Sequence, residues 1–265
     1  MSKKTHGIED LIQFAMDVIR NSGEKALSYY GRGKPHIKFD ENLVTEAELN
    51  LTEFFFDQLH SHFPEHLVFK DNLELTDYSH EGNRYLWIFD PIDGVANFQA
   101  GIPIWGMSLA LIENFWPVFG AFYMPATGDL FHAQAGKEAF RVNEKIRISS
   151  SEAFNDESLL LTYSRFHNNY SSTFPGKIRA LGCTSAHICY IAMGRADAAV
   201  ISNESFQDLA AARVIIEAAG GKIFKPDGSE FFLNEHLNGE RIKGHLLVGN
   251  PNNFTQLKDY FQKIS

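Results

Sequence analysis

Asp90-Pro91-Ile92-Asp93-Gly94 sets two carboxylates three residues apart around a turn whose φ is fixed by proline, directly behind the apolar run Trp87-Ile88-Phe89. Both side chains and the intervening Ile92 carbonyl can converge on one point, and all-oxygen ligation of this kind suits Mg2+. Backbone N–H groups from Gly94 onward are then free to receive an anion. The same five residues also satisfy the rules for a turn at a strand end, because Asp, Pro and Gly are the common turn formers. A second acid, Asp208, opens the run Asp208-Leu209-Ala210-Ala211-Ala212, which ends at Gly220-Gly221. Its place predicts a helix N-cap, and the small alanines let that helix start press against a neighbouring layer.

The elements that must position these acids follow from periodicity. Ile8, Leu11, Ile12, Ala15 and Ile19 recur at helical spacing and predict a helix from residue 8 to about residue 30, ended by Gly31-Arg32-Gly33-Lys34-Pro35. Thr45 followed by Glu48 has the form of a capping box and predicts a helix over 46–59. Strands are expected at 67–69 and 85–89, then an antiparallel meander at 107–112, 118–123 and 130–135. Beyond 149–155 the pattern changes: strands at 159–161, 198–201, 222–224 and 245–248 alternate with helices at 184–193, 209–219 and from 253. The expected organisation is an α/β protein of two subdomains in one compact unit. Residues 1–150 carry the Asp-Pro-Ile-Asp-Gly loop, and 151–265 supply Asp208.

Composition bounds the function. With 265 residues, 44% of them hydrophobic, the chain can fill a substantial core, and the 23 Phe read as core filler. No window reaches the roughly 18 uninterrupted apolar residues of a membrane span. The start, Met1-Ser2-Lys3-Lys4-Thr5-His6, lacks a signal-peptide core, so a cytoplasmic protein without a membrane partner is expected. Cys183 and Cys189 are six apart in one expected helix, which argues for reduced thiols and against zinc. A formal charge of -9, with no basic run longer than Lys3-Lys4, argues against a nucleic-acid partner. An acidic protein binds small phosphates when carboxylates recruit cations to supply the positive field.

Together the two acidic motifs resemble the signatures of the inositol monophosphatase family, a strand followed by Asp-Pro-Ile-Asp-Gly-Thr-x-Asn-Phe and a later Trp-Asp-x-Ala-Ala with Glu-Ala-Gly-Gly. Asn42-Leu43-Val44-Thr45-Glu46-Ala47-Glu48 resembles the family's Leu-Val-Thr-x-Ala-Asp segment, and residues 182–198 its later helix and strand. The resemblance implies a layered α/β/α/β/α sandwich of the inositol monophosphatase and fructose-1,6-bisphosphatase type. It also implies a Mg2+ requirement, hydrolysis of a small phosphorylated metabolite, lithium inhibition and a homodimer. Residue by residue, it implies metal ligation by Asp90, the Ile92 carbonyl, Asp93 and Asp208, with N–H groups of Gly94 and Val95 at the phosphate. Thr184 falls near the substrate-lining positions, as does Thr162. The implied chemistry is direct displacement by a metal-bound water, with no phosphoenzyme.

The chain departs from the family pattern where the water is handled. The family's Gly-Glu-Glu is absent; anchoring on Phe63-Pro64 puts Asp71 at the principal glutamate, whereas counting back without a gap from Trp87 puts Lys70 there. An aspartate carboxylate would stand about 1.5 Å further back, one C–C bond. Val95 replaces a threonine whose hydroxyl orients the water, and valine keeps the shape without the hydrogen bond. Loss of one such contact costs about a hundred- to a thousandfold in rate. Gln207 stands at the family tryptophan, and Ile201 at a glutamate that reads sugar hydroxyls in inositol-specific members. The catalytic positions on this reading are Asp71, Asp93 and Val95, and Lys38 falls near the entrance. Ser185 and His187 lack the strand-turn-helix elbow of a triad nucleophile. Two function classes follow: a Mg2+-dependent phosphatase of a small sugar- or inositol phosphate-like phosphomonoester other than inositol monophosphate itself, or a member with weak or no turnover that binds metal and a phosphorylated ligand or protein partner in a regulatory role.

Overall fold

The computed structural model describes residues 7–33, 41–69, 85–114, 116–151, 153–233, 241–242 and 244–264, excepting the side chains of 41–43. Lys38, Lys70 and Asp71 lie outside the described residues.

Helix α1 (Ile8–Leu27) forms where the spacing predicts, with Leu11, Ala15, Val18 and Ile19 on one buried stripe. Helix α2 runs Glu41–His62, so Thr45 lies inside it and the expected Thr45–Glu48 capping box is replaced by helix interior. The reason is packing. Val44, Ala47, Leu51, Phe55 and Leu59 form one continuous buried stripe, which requires the helix to begin before Val44.

Both helices cover one face of a seven-stranded sheet whose strands pair in chain order: β1 (Leu67–Val68), β2 (Tyr85–Asp93), β3 (Gly106–Glu113), β4 (Trp116–Met124), β5 (Asp129–Gln134), β6 (Ala139–Arg141) and β7 (Glu144–Ile146). Alternation divides the side chains. Trp87, Phe89, Leu109 and Leu111 pack under the helices, while Leu86, Ile88, Ala110 and Ile112 enter a second core on the opposite face. Helix α3 (Val95–Ala100) bridges β2 and β3.

The second core continues through α4 (Thr184–Ala192) and α5 (Phe206–Ala218) to a five-stranded sheet ordered β10-β8-β11-β13-β12. Its strands are β8 (Leu159–Thr162), β10 (Lys177–Arg179), β11 (Ala198–Ser202), β12 (Lys222–Phe224) and β13 (His245–Gly249). Its outer face, with Leu160, Val200 and Leu247, packs against α6 (Phe254–Asp259) and the pair β9 (Tyr170–Ser172) and β14 (Phe261–Lys263). The layers therefore alternate helix, sheet, helix, sheet, helix, as the resemblance implied. One hydrophobic cluster joins Ile88 and Phe122 of the first half to Ala199 and Ile215 of the second. A Cβ at Gly120 of β4 would collide with the Ala211 backbone, so the small residues of α5 do allow close approach to the sheet. Among the described residues no helix is long and apolar enough to cross a membrane.

Candidate active site

The first wall of the site is built at the end of β2. Asp90 pairs with Ser108 and Asp93 with Gly106, so the register slips between them, and Pro91 offers no N–H to the ladder. Gly94 follows with φ 91°, and a Cβ there would stand 3.0 Å from the Ile104 carbonyl and 3.1 Å from Cys183 Cβ. Only glycine fits that turn. In the first turn of α3 the N–H groups of Val95 and Ala96 have no intrahelical acceptor. Buried Asn97 then donates from Nδ2 to the Ile104 carbonyl (2.6 Å) and the Leu181 carbonyl (2.7 Å), fastening the loop ahead of α4. The Leu181 N–H donates to His187 Nε2 at 3.0 Å, and burial drops the His187 ring to a pKa of about 4, so the ring stays a neutral acceptor. Helix α4 thereby meets Asp93 end-on: the N–H groups of Thr184 and Ser185 donate to its two carboxylate oxygens at 3.2 and 2.6 Å.

The opposite wall is the segment after β11. Ser205 is the N-cap of α5, and Asp208 is its third residue. The Asp208 carboxylate accepts the Ser205 N–H at 2.6 Å, and the Ser205 hydroxyl accepts the Asp208 N–H at 3.4 Å. This corrects the expectation that Asp208 is the cap itself. Phe206 is buried, which draws the helix start upstream of Asp208, and the serine hydroxyl reaches the third N–H in the usual capping-box manner. Arg241 Nη1 lies 3.6 Å from Asp208 Oδ2 and also donates to the Asn203 carbonyl. Glu204 accepts the Thr184 hydroxyl at 2.8 Å, which links the two walls.

Between them is a cleft of about 530 Å3 whose charged lining is Glu48, Asp90, Asp93, Glu204, Asp208 and, as its one described cation, Arg241. Ile92, Gly94 and Val95 complete the first wall. Burial, and then repulsion from Asp93 and Asp208, holds the Asp90 carboxyl well above the usual range. Burial also raises Asp93, opposed by hydrogen bonds from Ser185 and Cys183. Glu204 is pushed up to about 8 by burial and by the same two aspartates, against the opposing effect of Thr184 and Arg241. Cys183 and Cys189 are buried free thiols, and Cys183 is the N-cap of α4 and not part of the helix proper.

Among the described residues no three His, Cys, Asp or Glu side chains stand close enough together to hold an ion in their present rotamers. One oxygen of Asp208 is engaged by Ser205 and Arg241. The chemistry of the donor set nevertheless fits a hard divalent cation. Oxygen donors of like charge raise one another's pKa, and a cation placed among them relieves that cost.

Of the residues singled out in the sequence, Asp90, Ile92, Asp93, Gly94, Val95 and Asp208 meet in this cleft. Thr184 adjoins it through Glu204. Gln207 instead lines a separate pocket with Phe55, Phe69 and Pro91, and Thr162 and Ile201 are buried. Sequence reasoning missed Glu204, Arg241 and the cleft position of Glu48. The polar run Ser202-Asn203-Glu204-Ser205 between a strand and a helix was the available signal for the first.

Residues 8–247 match the model of the inositol monophosphatase family. Inositol monophosphatase 3 of Solanum lycopersicum is 30% identical over 269 residues, covering 89% of this chain and 96% of the relative. The histidinol-phosphatase of Chlorobaculum parvum is 29% identical over 233 residues, covering 84% and 88%. Among solved structures, the IMPase of Thermotoga maritima superposes with a TM-score of 0.76 at 25% identity, covering 95% of this chain and 96% of that one.

Proposed function

The chain belongs to the inositol monophosphatase family, and from that premise we propose that it is a Mg2+-dependent phosphatase that converts a small phosphomonoester and water into an alcohol and inorganic phosphate. The observation that most supports this reading is the convergence of Asp90, Asp93 and Asp208, from two motifs far apart in the chain, on one cleft with Ile92, Gly94 and Val95. Asp90, Asp93, Asp208 and the Ile92 carbonyl would hold the cation, which when bound supplies a water of lowered pKa and charge at the phosphoryl oxygens. Every other role falls to the chain itself. The N–H groups of Gly94 and Val95 receive the phosphate at the start of α3. Thr184 and Ser185 fix both oxygens of Asp93, so that carboxylate cannot swing away. Val95 offers the attacking water no hydrogen bond, which makes slow turnover part of the expectation.

A substrate other than inositol monophosphate fits this chain, because Ile201 is apolar and buried and reads no hydroxyl. Relatives named for inositol phosphate and for histidinol phosphate show that the family's substrates vary. The resemblance also supports a homodimer. The test is a panel of small phosphomonoesters with Mg2+. Release should vanish in EDTA and recover on adding Mg2+ back; release indifferent to EDTA would remove the metal from the account.

A further inference from the structure

The hydroxyl of Ser185 is a buried group to which the proposed chemistry gives no task. The residue is 0% exposed at the start of α4. Its N–H donates to Asp93 Oδ2 at 2.6 Å, and its hydroxyl donates to the Asp208 carbonyl over a longer 3.5 Å. The same Oγ stands 3.3 Å from Oγ of Ser108, itself 2% exposed. With the Ser185 proton on the carbonyl, Ser108 is the donor of that bond. Ser108 lies directly opposite Asp90 across β2 and β3, so both side chains leave the sheet on one face. One pair of hydroxyls therefore connects the elements that carry Asp90, Asp93 and Asp208. A buried hydroxyl is costly unless it is hydrogen-bonded, so each serine holds the other in place.

What such a connection decides is spacing. The two N–H groups that orient Asp93 both belong to α4. The Ser185 hydroxyl carries that anchorage across to α5, in the turn that holds Asp208. Mg2+ demands near-octahedral oxygens at about 2.0–2.1 Å, whereas Ca2+ accepts looser shells at about 2.3–2.6 Å. Ligands held at a fixed spacing discriminate between the two ions, and ligands free to drift do not. Resting on the proposed function above, we infer that Ser185 is a positioning residue: with Ser108, its hydroxyl fixes Asp208 relative to Asp93 and so biases the cleft toward Mg2+ over a larger divalent cation.

The test is calorimetry of Mg2+ and of Ca2+ on wild-type protein, Ser185→Ala and the double variant Ser108→Ala/Ser185→Ala, with Tm read on the same samples. Ser185→Ala should weaken Mg2+ by about tenfold or more, the range for partners that orient metal ligands, and Ca2+ by less, so that the ratio of the two affinities falls. Removing one serine leaves the other hydroxyl unpaired, whereas removing both is nearly neutral for stability. In the double variant Tm should therefore return toward wild type while the ratio stays low. A ratio unchanged in Ser185→Ala, or one that recovers together with Tm in the double variant, makes the serines ordinary core structure and overturns the inference. Should Ser185→Ala fail to fold, Ser108→Ala, which acts from β3 and leaves every α4 side chain in place, is read for the same fall. Wild-type protein that binds Mg2+ but releases no phosphate ends the phosphatase reading alone, and the ratio still decides the inference. Wild-type protein that binds neither ion overturns it.

Discussion

The two walls of the cleft are held by different physics. On the Asp93 wall each group is fixed by a buried neighbour: Gly94 by backbone it nearly touches, Asn97 by two carbonyls, Asp93 by two helical N–H groups. On the Glu204–Asp208 wall, acids stand near one another with one guanidinium among the described residues to offset them. The first wall is held by direct hydrogen bonds and close backbone contact, and in the proposed function it receives the phosphate. The second has fewer such partners; its Glu204 is pushed up to about 8, while Asp90 of the first wall is also held well above the usual range, so unfavourable charge is shared across the cleft.

Breaking the Asp93 wall should have the largest effect. Asp93→Asn removes a carboxylate from the proposed metal set and sets an amide against the N–H groups of Thr184 and Ser185. Phosphate release should fall by about a thousandfold, near 4 kcal/mol, with Mg2+ binding weakened in calorimetry.

Stability against pH should separate Glu204 from His187 by sign. Glu204 has a folded pKa of about 8, above its ordinary 4.5. Its contribution is full below 4.5 and is lost as pH rises toward 8. His187 has a folded value of about 4, below its ordinary 6.5. Its contribution is full above 6.5 and is lost as pH falls toward 4. In metal-free protein the loss should be worth about 5 kcal/mol for Glu204 and about 3 kcal/mol for His187 across their windows in denaturant titrations. Glu204→Gln should flatten the alkaline loss, and His187→Gln, which keeps an acceptor for Leu181, the acid loss. Slopes of the same sign would erase the distinction.

Gly94→Ala sharpens the claim that close contact holds the first wall. With φ at 91° and backbone within 3.2 Å of the added methyl, it should cost about 2 kcal/mol, read as a lowered Tm. A neutral result would mean the turn yields. Val95→Thr probes the same wall more gently: it restores a hydroxyl with little change in shape, so release should rise about tenfold with Tm nearly unchanged.

The difference between the walls also explains what was legible in the sequence. Asp90-Pro91-Ile92-Asp93-Gly94 announces itself because each residue type is demanded by local geometry. Strands β2 to β5, β8, β11, β12 and β13 were anticipated from apolar runs between turn residues, and their layering from the family resemblance. Strands β6, β7 and β10 were missed, although β12, equally short, was anticipated; three residues carry no period, and only β12 follows a glycine pair that stops a helix, Gly220-Gly221. Thr45 mimics a cap inside α2 because the motif is local, while the stripe from Val44 to Leu59 that decides the helix is tertiary. Glu204 and Arg241 were missed because nothing in their spacing reveals that a loop after β11 and residue 241 come together; the polar run ahead of α5 marks Glu204 only as a loop residue. That proximity is made by the pairing of Ser202 in β11 with His245 in β13 and by the Ile242 N–H donated to the Glu204 carbonyl at 2.7 Å.

The measurement that tests the central claim most directly is phosphate release from small phosphomonoesters by wild-type protein, with Mg2+ binding followed by calorimetry on the same sample. The account predicts bound Mg2+ and release that EDTA and Asp93→Asn both suppress. Mg2+ binding with no release from any ester, in wild type and in Val95→Thr alike, would contradict it and leave a site kept for binding alone.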